Sequence, residues 1–399
     1  MALFHSPKTS TDGLVFMYDT GNKKSYVGEP TTNFVTNPDF STGDLTGWSS
    51  TSTSNSDVEI TEVSSENGYN YFHKKVNKTA NGGQDRLNES SFYTIDTSKQ
   101  LTVSIDIWIN PSNDYSITFY GRGTTADDTT FDEKPLQNNG STTSTVDLGG
   151  GWVRYIYTLQ TAWYTGSGTS FRIAIYPAYG GRGLMEYKVR QVQVEQKPHA
   201  TPFVNGTRST TQGLIDRTGN ETITLSNLSY DSNAQMSFDG TDDQFIISDP
   251  GVGTSFSIEV VIKVDNYSNG PIFISPNSVG IDHFFRVNSN GTIRANFVEV
   301  PDTANDGYTS TTVINTGEYY HVVISKTPSN GTIYVNGVAE DSHTPTLSAA
   351  AWTGDWRIGA RWNNTYNLNG EIPLLKVYNR ALTAAEVLQN YNATKSRFV

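Results

Sequence analysis

Several turns in the sequence carry aromatic side chains beside small or polar residues, a combination suited to stacking on ring-shaped ligands. Trp163 and Tyr164 lie in a Gly/Ser/Thr-rich turn, and Tyr179 and Arg182 lie in the next one. An aromatic face packs on apolar C–H surfaces while a guanidinium group binds hydroxyl oxygens. These four residues are therefore candidates for binding a carbohydrate, the alternative being that the rings belong to the core.

A second aromatic group follows a strand-like segment nearer the C-terminus. Trp362 and Tyr366 enclose the polar residues Asn363, Asn364 and Thr365. Trp352 precedes the same segment. Because binding residues are common in loops on a rigid scaffold, Trp352, Trp362 and Tyr366 are further candidates for carbohydrate binding, with core packing again the alternative.

Three carboxylates lie close together in the segment SFDGTDD. Asp239, Asp242 and Asp243 surround Gly240, which favours a tight turn. The three side chains either cap backbone N–H groups of that turn or supply oxygen ligands to Ca²⁺. The sequence indicates no other cofactor.

Motifs for catalysis are absent from the sequence. It contains no E-x-D-x-x-E strand, no G-x-S-x-G elbow, no H-E-x-x-H zinc motif and no Walker loop. Its six histidines are scattered rather than grouped at the spacing of metal ligands. We therefore expect a protein that is not an enzyme.

Composition restricts the function further. The net charge is −12 and no basic cluster occurs, so direct binding of nucleic acid is not expected. Cysteine is absent, which excludes disulfides and thiol chemistry. No apolar run is long enough for membrane insertion, and the start of the sequence, MALFHSPKTSTDG, lacks the apolar run of a signal peptide.

The elements that must position these residues are β-strands. From Ser232 onward, apolar and polar residues alternate in short segments separated by turn signals, as in half-buried strands. Asn336 and Gly337 predict a type I′ hairpin turn. Thr383 and Glu386 form a capping box that predicts one short helix near the C-terminus. With 399 residues, two domains are expected.

The C-terminal motifs resemble the laminin-G-like, concanavalin A-like jelly roll. Four ordered segments carry the likeness: Ser237–Ser248, Gly317–Val338, Trp356–Arg361 and Gly370–Tyr391. The last contains YNRAL followed by the predicted helix, as is usual in that family. The resemblance implies an antiparallel β-sandwich.

The opening of this jelly roll is separated from the rest. Gly13–Asp19 resembles its first strand, whereas Ile215–Asn220 resembles the turn that normally follows soon after. Between them, Asn33–Trp48 resembles the start of a carbohydrate-binding-module β-sandwich, and Tyr187–Ser209 resembles its end in tailed-phage structural proteins. We therefore predict an all-β protein of two jelly-roll sandwiches, with residues 33–203 inserted into a loop of a discontinuous domain formed by 1–32 and 204–399.

These resemblances favour a structural protein of a tailed-phage virion, cyanophage-like in type, such as a capsid decoration or tail fibre protein with lectin-like modules at the particle surface. Its expected partners are other virion proteins, copies of itself in a homo-oligomer, and host cell-surface glycans. Two alternatives remain. One is an adsorption protein whose main role is binding host polysaccharide, and the other is a polysaccharide depolymerase.

Overall fold

A computed structural model describes residues 8–52, 56–79, 85–114, 116–125, 131–136, 141–161, 167–177, 182–225, 227–276, 283–296, 307–343, 352–361 and 363–398. The chain divides into two compact units. Unit 1 comprises Met1–Pro30 and Ser209–Val399, and unit 2 comprises Thr31–Arg208. The sequence predicts the corresponding domain boundaries after residues 32 and 203. Unit 2 is continuous in the chain, whereas unit 1 is built from two separate segments.

Unit 1 begins with strand β1 (Leu14–Asp19), after which the chain enters unit 2. The strands of unit 2 are β2 (Thr31–Thr32), β3 (Trp48–Thr51), β4 (Ser56–Glu66), β5 (Tyr69–Lys78), β6 (Arg86–Glu89), β7 (Tyr93–Thr94), β8 (Leu101–Ile109), β9 (Ile117–Thr125), β10 (Phe131–Pro135), β11 (Thr142–Gly149), β12 (Trp152–Leu159), β13 (Ser167–Pro177), β14 (Gly183–Glu195) and β15 (Thr207–Arg208).

Unit 2 contains two six-stranded antiparallel sheets. One has the order β10-β9-β13-β6-β3 with β7 beside β13, and the other has the order β11-β12-β8-β14-β5-β4. Ile105 of β8 and Ile173 of β13 belong to one buried core, as expected where alternate residues of facing strands point inward. Strands β2 and β15 pair with Thr32 opposite Thr207, which holds the two ends of unit 2 side by side.

The chain then returns to unit 1. Its remaining elements are β16 (Ser229–Tyr230), β17 (Met236–Asp239), β18 (Phe245–Ile247), β19 (Phe256–Asn266), β20 (Ile272–Pro276), β21 (Phe284–Val287), β22 (Thr292–Asn296), β23 (Tyr308–Val313), β24 (Tyr319–Lys326), β25 (Gly331–Val335), β26 (Val338–His343), β27 (Trp356–Ile358), β28 (Asn369–Tyr378) and α1 (Ala384–Phe398).

Unit 1 is also built from two antiparallel sheets. The eight-stranded sheet has the order β16-β17-β28-β19-β24-β25-β26 with β1 beside β28, and the six-stranded sheet has the order β18-β27-β20-β21-β22-β23. Val260 and Ile262 of β19 share a core with Phe285 of β21 and Ile293 of β22. The two inner faces therefore enclose the apolar residues, and the outward positions of the six-stranded sheet are left for polar side chains.

Helix α1 covers part of the other face of the eight-stranded sheet. Val387 packs with Val323, Tyr334 and Tyr378 in a separate small apolar cluster. The helix begins as predicted, because Thr383 N–H donates to Glu386 Oε2 (2.9 Å) and Glu386 N–H donates to Thr383 Oγ1 (3.3 Å). The all-β class with one C-terminal helix is confirmed.

The predicted hairpin turn is also confirmed. Asn336 and Gly337 have φ angles of 49° and 79° and connect β25 to β26. Positive φ at both central positions is the type I′ geometry that matches the twist of the flanking strands. Within the described part of the chain, no helix combines the length and the apolar character needed to cross a membrane.

Candidate functional site

The aromatic candidates predicted from the sequence have different outcomes. Trp163, Tyr164, Tyr179 and Trp362 lie outside the described residues, so their part in binding stays a prediction. Arg182 is described and is exposed directly before β14.

The prediction for Trp352 is wrong. This side chain is fully buried in the core of unit 1. Its ring is stacked on that of His283 at 6.1 Å and meets Trp356 edge-on at 5.1 Å. A ring enclosed by its own core cannot stack on a ligand, and the core alternative therefore holds for this residue.

Tyr366 remains available to a ligand. It is 43% exposed and has a positive φ of 56° in the loop between β27 and β28. Its carbonyl oxygen accepts a hydrogen bond from Ile272 N–H (2.8 Å), and the Arg361 guanidinium lies 5.6 Å from its ring centre. The loop is thus fixed to strand β20 while the ring stays at the surface.

Tyr366 contributes to a cavity of about 420 Å³, here called the unit 1 pocket. The lining residues are Ser268, Asn269, Gly270, Arg286, Asn288, Ser289, Asn290, Arg294 and Tyr366. They come from the turn before β20, from strands β21 and β22 with the turn between them, and from the loop before β28. The lining is polar, and none of these described residues is acidic.

The two arginines of the unit 1 pocket are positioned by strand pairing. Arg286 of β21 lies directly opposite Arg294 of β22, so both project from the same face of the sheet. Arg286 Nε donates to Asn288 Oδ1 (3.0 Å), and Asn288 Nδ2 donates to Thr292 Oγ1 (2.9 Å). These bonds fix the direction of the Arg286 side chain and of the Asn288 amide.

A smaller cavity of about 80 Å³ shares Ser268 and Asn269 with the unit 1 pocket. Its other lining residues are Asp239, Gly240, Asn266, Pro271, Asn367 and Asn369. Gly240 has a φ of 82°, and a Cβ atom there would lie 3.0 Å from the Asn369 side chain. The positive φ angle favours glycine at position 240, and so does the close approach of Asn369, the first residue of β28.

The predicted acidic residues form the aspartate cluster, defined as Asp239, Asp242 and Asp243. Carboxylate oxygens of the three lie within 4.8 Å of one another. Asp239 Oδ1 accepts a hydrogen bond from Thr241 N–H (2.7 Å), and Asp243 Oδ2 accepts one from Asp239 N–H (2.7 Å). The turn-capping alternative therefore describes two of the three side chains, Asp239 and Asp243.

A cation would offset the mutual repulsion of the three carboxylates in the aspartate cluster, and Asn367, which contacts the same turn, has an amide oxygen that is unpaired in the part of the chain that the structure describes. Burial raises the pKa of Asp243, and the charge of Asp239 raises it further. Asn367 Nδ2 donates to the carbonyl oxygen of Thr241, while Asn367 Oδ1 is buried with no partner among the described residues. Calcium binds carboxylate and amide oxygens, about six to eight in number. The residues present fit Ca²⁺.

The arrangement can recognise hydroxyl groups. Asparagine amides both donate and accept, arginines donate, and an exposed tyrosine ring offers an apolar face. Sequence reasoning found Tyr366 and the three aspartates but missed Arg286, Arg294 and the surrounding asparagines. The only signal in the sequence was the high density of Asn and Ser in the turns at 266–270 and 288–291.

Comparison with known protein families identifies one match. The family described as the concanavalin A-like lectin/glucanases superfamily, Laminin_G_3, matches residues 239–388. This segment lies in unit 1 and contains both the aspartate cluster and the unit 1 pocket. Residues 239–388 are therefore similar to the concanavalin A-like jelly roll, in agreement with the two antiparallel sheets of unit 1. No curated protein matches the sequence significantly.

The chain also has partial similarity to several solved structures. Domain 4 of AbnA, a GH43 extracellular arabinanase from Geobacillus stearothermophilus solved with arabinotriose, has a TM-score of 0.36 and 18% identity over 46% of this chain and 93% of that chain. The native heptameric SAP-like pentraxin from Limulus polyphemus has a TM-score of 0.31 and 20% identity over 38% and 78%. The receptor binding domain of botulinum neurotoxin type G has a TM-score of 0.35 and 17% identity over 46% and 49%, so about half of that domain is spanned.

Proposed function

We propose that the protein binds saccharides without chemical conversion and that the unit 1 pocket holds the sugar. The observation that carries this proposal is the lining itself, in which amide, hydroxyl and guanidinium groups surround a cavity of about 420 Å³ beside an exposed ring. Ligand pockets commonly have volumes of about 300–1,000 Å³ and a few fixed polar groups. The lectin-like fold of residues 239–388 agrees with this function.

Each part of the pocket has a role in the proposed complex. Arg286 and Arg294 donate hydrogen bonds to sugar oxygens, and Asn288 and Asn290 pair with hydroxyl groups that donate and accept. The Tyr366 ring packs on the C–H face of the sugar. Ca²⁺, when bound by the aspartate cluster, would supply a positive charge that oxygen atoms of the sugar can coordinate. Asp239 also lines the smaller neighbouring cavity.

A binding role is favoured over depolymerase activity by the chemistry of the pocket. Glycoside hydrolysis usually needs two carboxyl groups on either side of the scissile bond. The described residues that line the unit 1 pocket include no carboxyl group. We expect that prolonged incubation with host polysaccharide releases no reducing ends above the buffer control. A steady release that depends on protein concentration would contradict this.

The binding proposal can be tested with a glycan array followed by titration calorimetry on the best ligand. Replacing Arg286 with Ala should weaken binding at least about tenfold, because charged hydrogen bonds contribute about 1.5–3 kcal/mol. Arg217→Ala is the matched control, since Arg217 is an exposed arginine of unit 1 that does not line the pocket. Equal affinity of both variants and the parent protein would rule out the unit 1 pocket as the binding site.

We also propose that this binding protein belongs to the surface of a tailed-phage particle, as a capsid decoration or fibre-type protein that contacts other virion proteins and copies of itself. The support is the resemblance of Tyr187–Ser209 to the end of such modules in tailed-phage structural proteins, together with the laminin-G-like resemblance of the C-terminal segment. In that setting the saccharide is a host cell-surface glycan, and adsorption is the function. Mass spectrometry of purified particles, followed by localisation with antibody-labelled electron microscopy, should detect the protein. Its absence from intact particles would refute the virion assignment.

A further inference from the structure

A second cavity lies in unit 2 and is independent of the pocket proposed above. Its volume is about 390 Å³, and we call it the unit 2 groove. The lining residues are Glu66, Asn67, Tyr69, Trp108, Leu148, Gly149, Gly150, Trp152, Lys188 and Arg190. They belong to the turn between β4 and β5, to the turn between β11 and β12, and to strands β8 and β14. All are parts of one six-stranded sheet.

Aromatic rings form much of the unit 2 groove. Trp108 of β8 and Trp152 of β12 lie directly opposite each other in the strand register, and both are partly exposed. Tyr69 is 41% exposed. Gly151 has a φ of 81°, and a Cβ atom there would lie 2.8 Å from Trp108 Nε1. This glycine therefore lets the β11–β12 turn lie against the Trp108 ring.

Cations lie between these rings. The Arg190 guanidinium carbon is 4.1 Å from the Tyr69 ring centre and 4.1 Å from the Trp152 ring centre. Lys188 Nζ is 4.9 Å from the Tyr71 ring centre and 5.2 Å from that of Trp108. Cation–ring contacts of this length are attractive and hold both partners in place. The groove is thus an ordered set of alternating rings and positive charges.

Positive charge exceeds negative charge at the groove floor. Arg154 donates to both oxygens of buried Asp106, at 2.6 and 3.1 Å, and Arg190 Nε lies 3.7 Å from the same carboxylate. One carboxylate therefore faces two guanidinium groups. Lys188 has ring contacts and no carboxylate within ion-pair distance among the described residues. Glu66 is the acidic residue of the lining and is exposed.

The nearest further carboxylate on the same face of β14 is already bound. Glu186 contacts His73 Nε2 (2.8 Å) and accepts a hydrogen bond from Asn110 Nδ2 (2.7 Å). Its oxygens are thus held by these two partners and do not contact Lys188. The described lining of the groove carries two cations, Lys188 and Arg190, and one carboxylate, Glu66, in a chain with a net charge of −12, which suits a negatively charged ligand.

We infer that the unit 2 groove binds an acidic saccharide, one whose sugar rings carry carboxylate groups. The sugar packs on the parts of the Trp108 and Trp152 rings that the two cations leave exposed, and a carboxylate of the saccharide pairs with Lys188 and Arg190. Asn67 provides an amide at the rim for hydroxyl groups. A nucleic-acid strand also combines rings and negative charge, but it carries a phosphate at every nucleotide and would be repelled by the acidic remainder of the protein.

The test uses the full chain and two probes that differ only in charge. The first probe is a short oligogalacturonate, and the second is the same oligosaccharide with its carboxyl groups methyl-esterified. The parent protein should bind the free acid at least about tenfold more tightly than the ester, because the ester cannot make the charged pairs. Equal binding of the two probes, or binding of neither, would overturn the inference. So would tighter binding of a single-stranded oligonucleotide of equal length.

Variants then locate the site. Lys188→Gln removes the charge while keeping a polar side chain at the position, and it should lower the affinity for the free acid about tenfold. Trp152→Ala should lower it as well by removing the stacking face. Lys99→Gln is the charge control, because Lys99 is an exposed lysine of unit 2 outside the groove. Tyr366→Ala changes the unit 1 pocket only, so an unchanged affinity for the free acid distinguishes this site from the proposed one. Unchanged affinity of Lys188→Gln would exclude the groove.

Discussion

The unit 1 pocket and the unit 2 groove have similar volumes, about 420 and 390 Å³, but different chemistry. The pocket is lined by amides, hydroxyls and two arginines, next to three aspartates. The groove is lined by tryptophans and a tyrosine with Lys188 and Arg190 between the rings. Both cavities are built on six-stranded antiparallel sheets. The same kind of sheet therefore presents outward-facing side chains in both units, and the identity of those side chains determines the chemistry of each cavity.

The two units also differ in how they hold a buried carboxylate. In unit 1, Glu259 is fully enclosed and contacts Lys376 Nζ (2.8 Å), His321 Nε2 (3.2 Å) and the Tyr378 hydroxyl (3.2 Å). Helix α1 closes this group, because Asn390 Nδ2 donates to Glu259 Oε2 (2.5 Å). In unit 2, Asp106 lies beside a cavity. The first carboxylate is thus enclosed by its own partners, whereas the second lies beside Arg190, which lines the unit 2 groove.

The largest expected effect is on the stability of unit 1. Glu259→Gln should lower the free energy of unfolding by about 3–5 kcal/mol, because Lys376 is left as a buried charge without its carboxylate. Glu59→Gln breaks a surface pair with Lys75 and should cost at most about 1 kcal/mol. Urea unfolding followed by tryptophan fluorescence compares the two variants. Similar losses of unfolding free energy in the two variants would contradict the expected difference between the buried and the exposed carboxylate.

The effect of Glu259→Gln has an expected pH dependence. Burial acts to raise the pKa of Glu259, but the charge of Lys376 and the hydrogen bond with His321 outweigh it and lower the pKa to about 2. A depressed pKa means that the contribution of Glu259 is fully present above the ordinary value near 4.5 and is lost as the pH falls towards 2. The stability difference between the parent protein and Glu259→Gln should shrink over that range.

The next largest effect separates the two cavities by their dependence on a metal. Removal of Ca²⁺ with a chelator should weaken saccharide binding in the unit 1 pocket about tenfold and leave the unit 2 groove unchanged, since the aspartate cluster lies in unit 1. Asp242→Asn should reproduce the chelator effect. Calorimetry with and without Ca²⁺ measures both. An equal response of the two cavities would contradict the assignment of the cation to the aspartate cluster.

The smallest expected effect concerns ionic strength. Raising the salt concentration from about 0.01 to about 1 M shortens the screening length from about 30 to about 3 Å, so binding of an acidic saccharide to the exposed groove should weaken several-fold. Binding of a neutral sugar in the unit 1 pocket should change little, because it depends on short hydrogen bonds. Titrations at several salt concentrations test this. A stronger salt effect on the neutral sugar would reverse the comparison.

Local features of the fold could be predicted from the sequence because their causes are local. The alternation of apolar residues indicated strands, Asn336 and Gly337 indicated the turn, and Thr383 with Glu386 indicated the start of the helix. The nearness of Asp239, Asp242 and Asp243 followed from their spacing. Each of these depends on backbone geometry or hydrogen bonds over a few residues, which sequence patterns report directly.

The sequence by itself thus determined the all-β class and the aspartate cluster. Only the tertiary structure decided which other residues line the unit 1 pocket and the unit 2 groove. Trp352 precedes and Tyr366 follows the Trp356–Arg361 segment, yet the first is buried and the second is exposed. Lys188 meets Trp108 and Arg190 meets Trp152 only because β14, β8 and β12 lie side by side in one sheet. Burial and such contacts depend on pairing between segments far apart in the chain, and a single sequence carries no local signal for that pairing.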